Sequence, residues 1–493
     1  MSRLTLDEQE RLLGLLGRMG SAGRAEGEST ETFRRTFLPV AEHMRAFDPD
    51  VVLVVGERGA GKSELFRAVL GEKLLPSIAR YLQGVRLPAA SVTRWIAGYP
   101  IGAAFPDGRA LRRFTEGHAS EPDAMHDLWL AYLLRILQEH LDEEARTRLA
   151  PLLSQQGGAA NASYEALQAA GDEPTLALDR LDQRLQQEGC SIFVGYDELD
   201  TLGHSDWQAM VLATRGLISF WASYARRWRN LRAKIFLRTD LFQRNTVLAG
   251  AEMAKLAANR VEISWSDRNL YAMLVKRIAN FDDALLDYCR KARVSFLDGD
   301  PDLGFIPRLT KAEEAKPLVD RIVDEYMGAN RKKGITFYWL LDHLRDGRGR
   351  AIPRPLARLI ERAAQLEIGQ RRATIPHLLA PTSLRRALDD VSKDHVRDMI
   401  SHEIPWLEGV RKRLAGMEVP CSRRDVERLL GKDWEKTWGE LEGVAAPTDD
   451  ARSLVDYLVD LGVVRTRSNG QADVPDLFLA GLDLKRRGGV ARE

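Results

Sequence analysis

The chain has 493 residues, 44% hydrophobic and 29% charged, and its 72 Lys and Arg nearly cancel its 71 Asp and Glu to leave a formal charge of +1. That length suits two to four domains with cores of their own, at roughly 100–200 residues each. The composition excludes bulk disorder, and the balanced charge excludes an indiscriminate coat for nucleic acid or anionic membrane, which needs a basic excess.

Residues 1–34 are expected to form a helical lead-in, interrupted from Gly20 to Thr30. Val51–Val55 is a continuous apolar run rich in β-branched residues, the pattern of a buried parallel strand. A second strand is expected within 85–96. Residues 121–190 read as mostly helical, broken at Ser154–Gly158, and dominate a helical insertion at about 97–190. Ser191–Tyr196 and Lys234–Arg238 are two further strands. Strands separated by helical spans predict an α/β domain over 35–265.

From Asp267 the pattern turns helical: 267–295, 318–329, 335–346, 353–367 and 382–402, with an irregular stretch from Asp298 to Pro317. These make a helical lid domain over 266–402. In the tail, 403–493, helices at 422–430 and 449–461 lead to a strand at 463–467. Ser468-Asn469-Gly470 then supplies an Asn-Gly hairpin turn, expected as type I′. Helices feeding a two-stranded wing predict a winged helix.

Three scattered cysteines, Cys190, Cys289 and Cys421, fit neither a disulfide framework nor a metal site, and point to reduced thiols. Charges within Met1–Glu8 occupy the place where a signal peptide needs its apolar stretch. No apolar run approaches the ~18 residues that span a bilayer. A cytoplasmic protein without membrane contact is expected.

The chemistry concentrates at Gly56-Glu57-Arg58-Gly59-Ala60-Gly61-Lys62-Ser63, which fits G-x-x-x-x-G-K-[ST] at every fixed position. An apolar strand enters it and an amphipathic segment, beginning at Glu64, leaves it. Glycines let backbone N–H groups turn inward around phosphates, and the following helix adds the positive end of its dipole. Lys62 then reaches the β- and γ-phosphates, and the Ser63 hydroxyl is a ligand for Mg²⁺.

About 130 residues later an apolar strand ends in Asp197-Glu198. Asp197 is expected to hold the Mg²⁺ opposite Ser63, and Glu198 to act on the attacking water as base or orienting group. Asp200 either extends this acidic edge or caps the next helix. P-loop kinases of small molecules need no such glutamate, and no Asn-Lys-x-Asp string for reading guanine occurs. ATP hydrolysis is therefore the expected reaction.

With these motifs in hand, the chain resembles the AAA+/STAND group of ATPases, in particular bacterial STAND-like P-loop proteins and archaeal origin-recognition initiators. The resemblance covers about 35–370 and, more loosely, the tail. It implies a three-layer α/β P-loop domain with a parallel sheet, a helical lid and a C-terminal winged helix, working as an ATP-driven switch. Lys234–Asp240 matches the family's sensor-1 strand, with Arg238 and Thr239 both available to face the γ-phosphate. Ile352–Leu359 looks like the start of its sensor-2 helix, so Arg354 is either a γ-phosphate sensor or a surface arginine among Arg348, Arg350 and Arg358.

Arg260 has the spacing of an arginine finger donated by a neighbouring protomer, or stands there by chance. Just before the first strand, Phe37, Pro39, Val40 and His43 match the segment that lines the adenine slot, with His43 either on the base or in the core. The setting implied is assembly with further copies or with an effector protein, in antiphage defence or a DNA-linked process. A nucleotide-gated DNA-binding loader and a scaffold that holds nucleotide without turnover are the alternatives.

Two basic stretches bear on DNA. Arg226–Arg232 mixes cations with Trp228, which suits nucleic acid, but Trp221, Tyr224 and Trp228 also have the spacing of one packed helix face. Arg465 and Arg467 share one face of the wing strand and suit phosphate. Against that, residues 411–493 hold 15 Lys and Arg and 15 Asp and Glu, without the basic excess of a DNA reader. The tail suits either DNA or a protein partner.

Overall fold

The apolar run before the glycine-rich loop forms β1, Leu53–Gly56, buried along its whole length. In this computed structural model the described residues are 4–19, 28–85, 87–99, 108–118, 121, 123–155, 159–202, 207–246, 251–297, 299–370, 377–432, 434, 448 and 450–487. The chain divides into two units, Pro39–Ile263 and a second made of Met1–Leu38 with Ser264–Glu493.

In the first unit β1 joins β2 (Thr93–Tyr99), β3 (Ser191–Tyr196), β4 (Leu231–Arg238) and β5 (Val261–Glu262) in a sheet of order β2-β3-β4-β1-β5. Every pairing is parallel. This is a three-layer α/β architecture of the P-loop type. The loop strand β1 and the Asp-Glu strand β3 are not neighbours, because β4 lies between them. Gly56 pairs in register with Arg238, and Tyr196 with Ile235, so the loop, Asp197 and Thr239 leave the sheet at one edge. That carboxyl edge is where parallel α/β sheets bind ligands.

One face of the sheet carries the loop helix, whose Phe66 meets Phe236 edge to face at 5.8 Å. On the other face the helical insertion packs over β3 and β4. Its helix Ala124–Ile136 is apolar nearly all round and buried to match. Trp129 there donates to the Ala213 carbonyl at 2.8 Å, fastening the insertion to the helix Trp207–Tyr224. Two expectations shift here. The second strand runs Thr93–Tyr99 rather than within 85–96, and β4 starts at Leu231, three residues before Lys234. Lys234 itself is fully buried, donating to the Asp48 and Val51 carbonyls, and burial pushes its amine down to about 7.

In the second unit the span 267–295 is two helices, Asp267–Phe281 and Asp283–Lys291. Asp282 separates them, since its extended backbone and its acceptance of the Ala284 N–H make it a helix cap. The irregular stretch that follows is pinned by Asn280, whose side chain bonds both the N–H and the carbonyl of Phe305. Helix Pro353–Glu367 has the expected bounds, and helix Pro381–His402 starts one residue early. The lead-in helix Leu6–Leu16 is closed by a Thr5–Glu8 capping box, and Gln365 donates to the Gly17 carbonyl just past its end. The interruption at 20–27 lies outside the described residues.

In the tail, helices Arg423–Gly431 and Ala451–Asp460 precede β7 (Arg465–Thr466) and β8 (Ala472–Asp473), an antiparallel hairpin. Two-residue strands β6 (Glu418–Val419) and β9 (Lys485–Arg486) pair beside them. The turn is not type I′. Gly470 has φ 78°, but Asn469 is not left-handed. Instead the Gly470 N–H returns to the Arg467 carbonyl and the Arg467 N–H to that of Gln471, a type I turn followed by a left-handed glycine. Asn469 accepts the Gln471 N–H at 3.1 Å, a local bond that competes with the left-handed geometry expected of it. No helix among the described residues is long and apolar enough to cross a membrane.

Candidate nucleotide site

The loop folds as its glycines require. Gly59 and Gly61 have φ of 81° and 97°, where a side chain would be strained. Lys62 opens the helix Lys62–Phe66 and is only 8% exposed. Its amine is turned into the loop, donating to the Gly56 and Glu57 carbonyls at 2.8 and 2.9 Å. Such a cation, held by neutral dipoles, is ready to exchange them for phosphate oxygens.

Across the edge, Asp197 is 4% exposed and lies beside the Ser63 side chain. Burial raises its carboxyl above the usual range, and the Ser63 hydroxyl and the Lys62 charge offset that only in part. A buried carboxylate beside a hydroxyl, short of positive charge, fits Mg²⁺. That ion takes one or two carboxylates plus phosphate oxygens and water rather than an all-protein cage. Among the described residues no group of three or more His, Cys, Asp or Glu side chains forms such a cage. Glu198, next along, is half-buried with φ 52°, so the chain bends sharply where the strand ends.

Arg238 is brought to this edge but is occupied. Its guanidinium bonds both carboxylate oxygens of Asp240, at 3.0 and 2.7 Å, and Asp200 at 3.2 Å. Asp200 thus bridges to β4. Thr239, the next residue, has a buried hydroxyl oxygen without a hydrogen-bond partner among the described residues. Of the two sensor-1 candidates, the threonine holds the uncommitted polar atom. Asp240 was missed from the sequence, where it read only as the end of the strand.

His43 is 3% exposed, within the turn Ala41–Phe47 of the same unit. Arg260 is exposed just past the helix Ala251–Ala258, over the Phe242 ring at 5.0 Å and donating to the Ala257 carbonyl. Arg354 belongs to the second unit, half-buried in the first turn of helix Pro353–Glu367. Of its neighbours, Arg350 is paired with Asp346 and Arg358 with Asp398.

The basic stretches are largely absorbed by packing. Trp228 is buried, stacked on Tyr224 at 4.3 Å, and donates to Asp179, which also takes Arg227. In the hairpin, Arg465 and Arg467 both grip Asp473, at 2.8 and 2.9 Å, and Arg486 binds its other oxygen. Asp473 is fully buried. Burial alone would raise its carboxyl, but these arginines outweigh it and hold it below the usual range.

No protein-family model matches the chain, and no curated protein matches it. Among solved structures, it is similar to a Walker-type ATPase of Pyrococcus abyssi, with 14% identity, 95% of this chain and 99% of that one covered, and a TM-score of 0.39. It is likewise similar to the Aeropyrum pernix ORC1 protein in complex with DNA, at 15% identity, 96% and 90% coverage, and a TM-score of 0.33. Cdc6p from Pyrobaculum aerophilum gives 11% identity, 94% and 93% coverage, and 0.30. Superposition this poor carries no statement about the present chain. Its fold rests on the strand order and the geometry of the loop.

Proposed function

We propose that the chain is a Mg²⁺-dependent ATPase of AAA+/STAND type, a switch whose nucleotide state governs assembly or engagement of a protein partner. One observation carries this reading: Lys62, Ser63 and the buried Asp197 meet at the carboxyl edge of a parallel sheet, with Glu198 next to them. The backbone from Gly56 to Glu64 cradles the phosphates, and Lys62 leaves its loop carbonyls for the β- and γ-phosphate oxygens. Ser63 and Asp197 hold the Mg²⁺, which when bound neutralises charge developing on those oxygens. Glu198 orients water for attack in line with the leaving group and takes its proton.

Thr239 reports the γ-phosphate within the first unit, while Arg238 braces the Asp200 turn against β4. Arg354 is the second unit's candidate for sensing the γ-phosphate, and Arg260 is presented to a second copy. His43 belongs to the wall beside the base. The hairpin arginines are committed to Asp473, which favours the tail as a winged helix that docks protein rather than DNA.

The test is Glu198→Gln. Turnover should fall by at least about 100-fold while ATP stays bound. Undiminished hydrolysis would refute the assignment.

A further inference from the structure

The turn that presents Glu198 is held by a chain of hydroxyls. Glu198 sits at φ 52°, ψ 30°, a left-handed conformation that a residue with a Cβ adopts only under constraint. The Thr201 hydroxyl donates to the Glu198 carbonyl at 2.8 Å, and the Thr201 N–H reaches the same oxygen at 2.9 Å. The Tyr99 hydroxyl lies 2.6 Å from that of Thr201. A threonine hydroxyl has one proton, here spent on a carbonyl that can only accept, so Tyr99 is the donor. The order is Tyr99 O–H to Thr201 O–H to Glu198 C=O.

Tyr99 also takes hold of the residue before. Its carbonyl accepts the Asp197 N–H at 3.0 Å. It therefore fixes the metal-holding residue through its backbone and the water-handling residue through its phenol. A slip in the strand puts it there: Ala97 pairs with Gly195 but Tyr99 with Tyr196, so β2 carries one extra residue. That residue is Gly98, where an added Cβ would lie 2.5 Å from the Tyr196 ring and 2.7 Å from Val194.

We propose that Tyr99 and Thr201 are positioning residues for Glu198, holding its strained turn in the shape that aims the carboxylate at water. This rests on the reading of Glu198 as the group that acts on water. The two hydroxyls act on the Glu198 backbone, the phenol through Thr201 and Thr201 on the Glu198 carbonyl, so their loss should leave binding intact and slow the chemical step.

The experiment is steady-state ATP turnover, with ATP affinity and thermal unfolding measured alongside, for wild type, Glu198→Gln, Tyr99→Phe, Thr201→Val and Thr201→Ser. Tyr99→Phe and Thr201→Val should each lower kcat about 10- to 100-fold, with KM, ATP affinity and unfolding near wild type. Thr201→Ser keeps the hydroxyl and should keep the rate. The Tyr99→Phe/Thr201→Val double variant should be no slower than the worse single one, because both break the same chain.

Wild-type kcat in Tyr99→Phe and Thr201→Val, with Glu198→Gln inactive, overturns this inference alone. A loss in Thr201→Ser equal to that in Thr201→Val also overturns it. A wild type without turnover, or an active Glu198→Gln, overturns the parent reading and this inference together.

Discussion

Two buried aspartates, one in each unit, show how differently the same side chain can be satisfied. Asp473 lies under the hairpin with three arginines on its two oxygens, and they hold it ionised despite burial. Asp197 lies at the sheet edge with a serine hydroxyl and a lysine whose amine is engaged with loop carbonyls, and burial prevails. The first site is electrostatically complete. The second carries a negative charge that its own chain does not fully neutralise, and it is the one beside the glycine-rich loop. Charge that is fully paired holds a structure together; charge left in deficit marks the place where a ligand finishes the job.

The largest expected effect comes from upsetting the complete site. Asp473→Asn leaves three guanidiniums around a neutral amide and should destabilise the tail by about 3–5 kcal/mol, read by denaturant unfolding and by faster hydrogen exchange over 465–487. The same substitution at the deficient site should act in the opposite direction. Without nucleotide, Asp197→Asn should stabilise the first unit by about 0.5–2 kcal/mol while abolishing turnover, because it removes a buried charge kept for function. Equal destabilisation by both would erase the contrast.

A smaller effect tests the hairpin that carries two of the arginines. Gly470→Ala should cost about 1–2 kcal/mol, since φ 78° strains any residue with a Cβ, and the loss should appear in the tail alone.

The pH dependence gives the finest distinction. The Asp473 carboxyl sits below its unfolded value of about 3.9, so its stabilisation is complete above that pH and is lost as pH falls through the folded value. Asp197 sits above its unfolded value, so stability at its site is greatest in acid and declines as pH rises through the folded value. Lowering the pH from 6 to 3 should destabilise the wild-type tail, and the slope should be shallower in Asp473→Asn, where only the other depressed carboxyls such as Glu408 and Asp450 remain.

What the sequence made legible follows from how local each signal is. The phosphate loop and Asp197-Glu198 could be read because their residue types stand side by side, and β1, β3 and helix Pro353–Glu367 because an apolar run or a helical period declares itself over a few residues. The second strand was placed early because it carries an extra residue at Gly98, which no alternation reveals. Arg238 and Thr239 stood side by side as candidates for the γ-phosphate; that Arg238 is engaged by Asp240, and by Asp200 38 residues away across the β3–β4 step, is a matter of side-chain pairing that only the fold shows. The hairpin arginines left DNA and a protein partner both open for a similar reason: that Asp473 is buried beneath them, and that Arg486 joins them, are facts of pairing between strands. Net charge near zero was compatible with all of these arrangements.

The central claim is that Asp197 is the metal's carboxylate in a Mg²⁺–ATP site, and the magnesium dependence of ATP binding tests it most directly. ATP affinity should be measured with and without Mg²⁺ for the wild type and for Asp197→Asn. The account predicts that Mg²⁺ tightens ATP binding to the wild type by about tenfold or more, roughly 1.4 kcal/mol, and leaves Asp197→Asn nearly unchanged. An equal gain from Mg²⁺ in both proteins would contradict it.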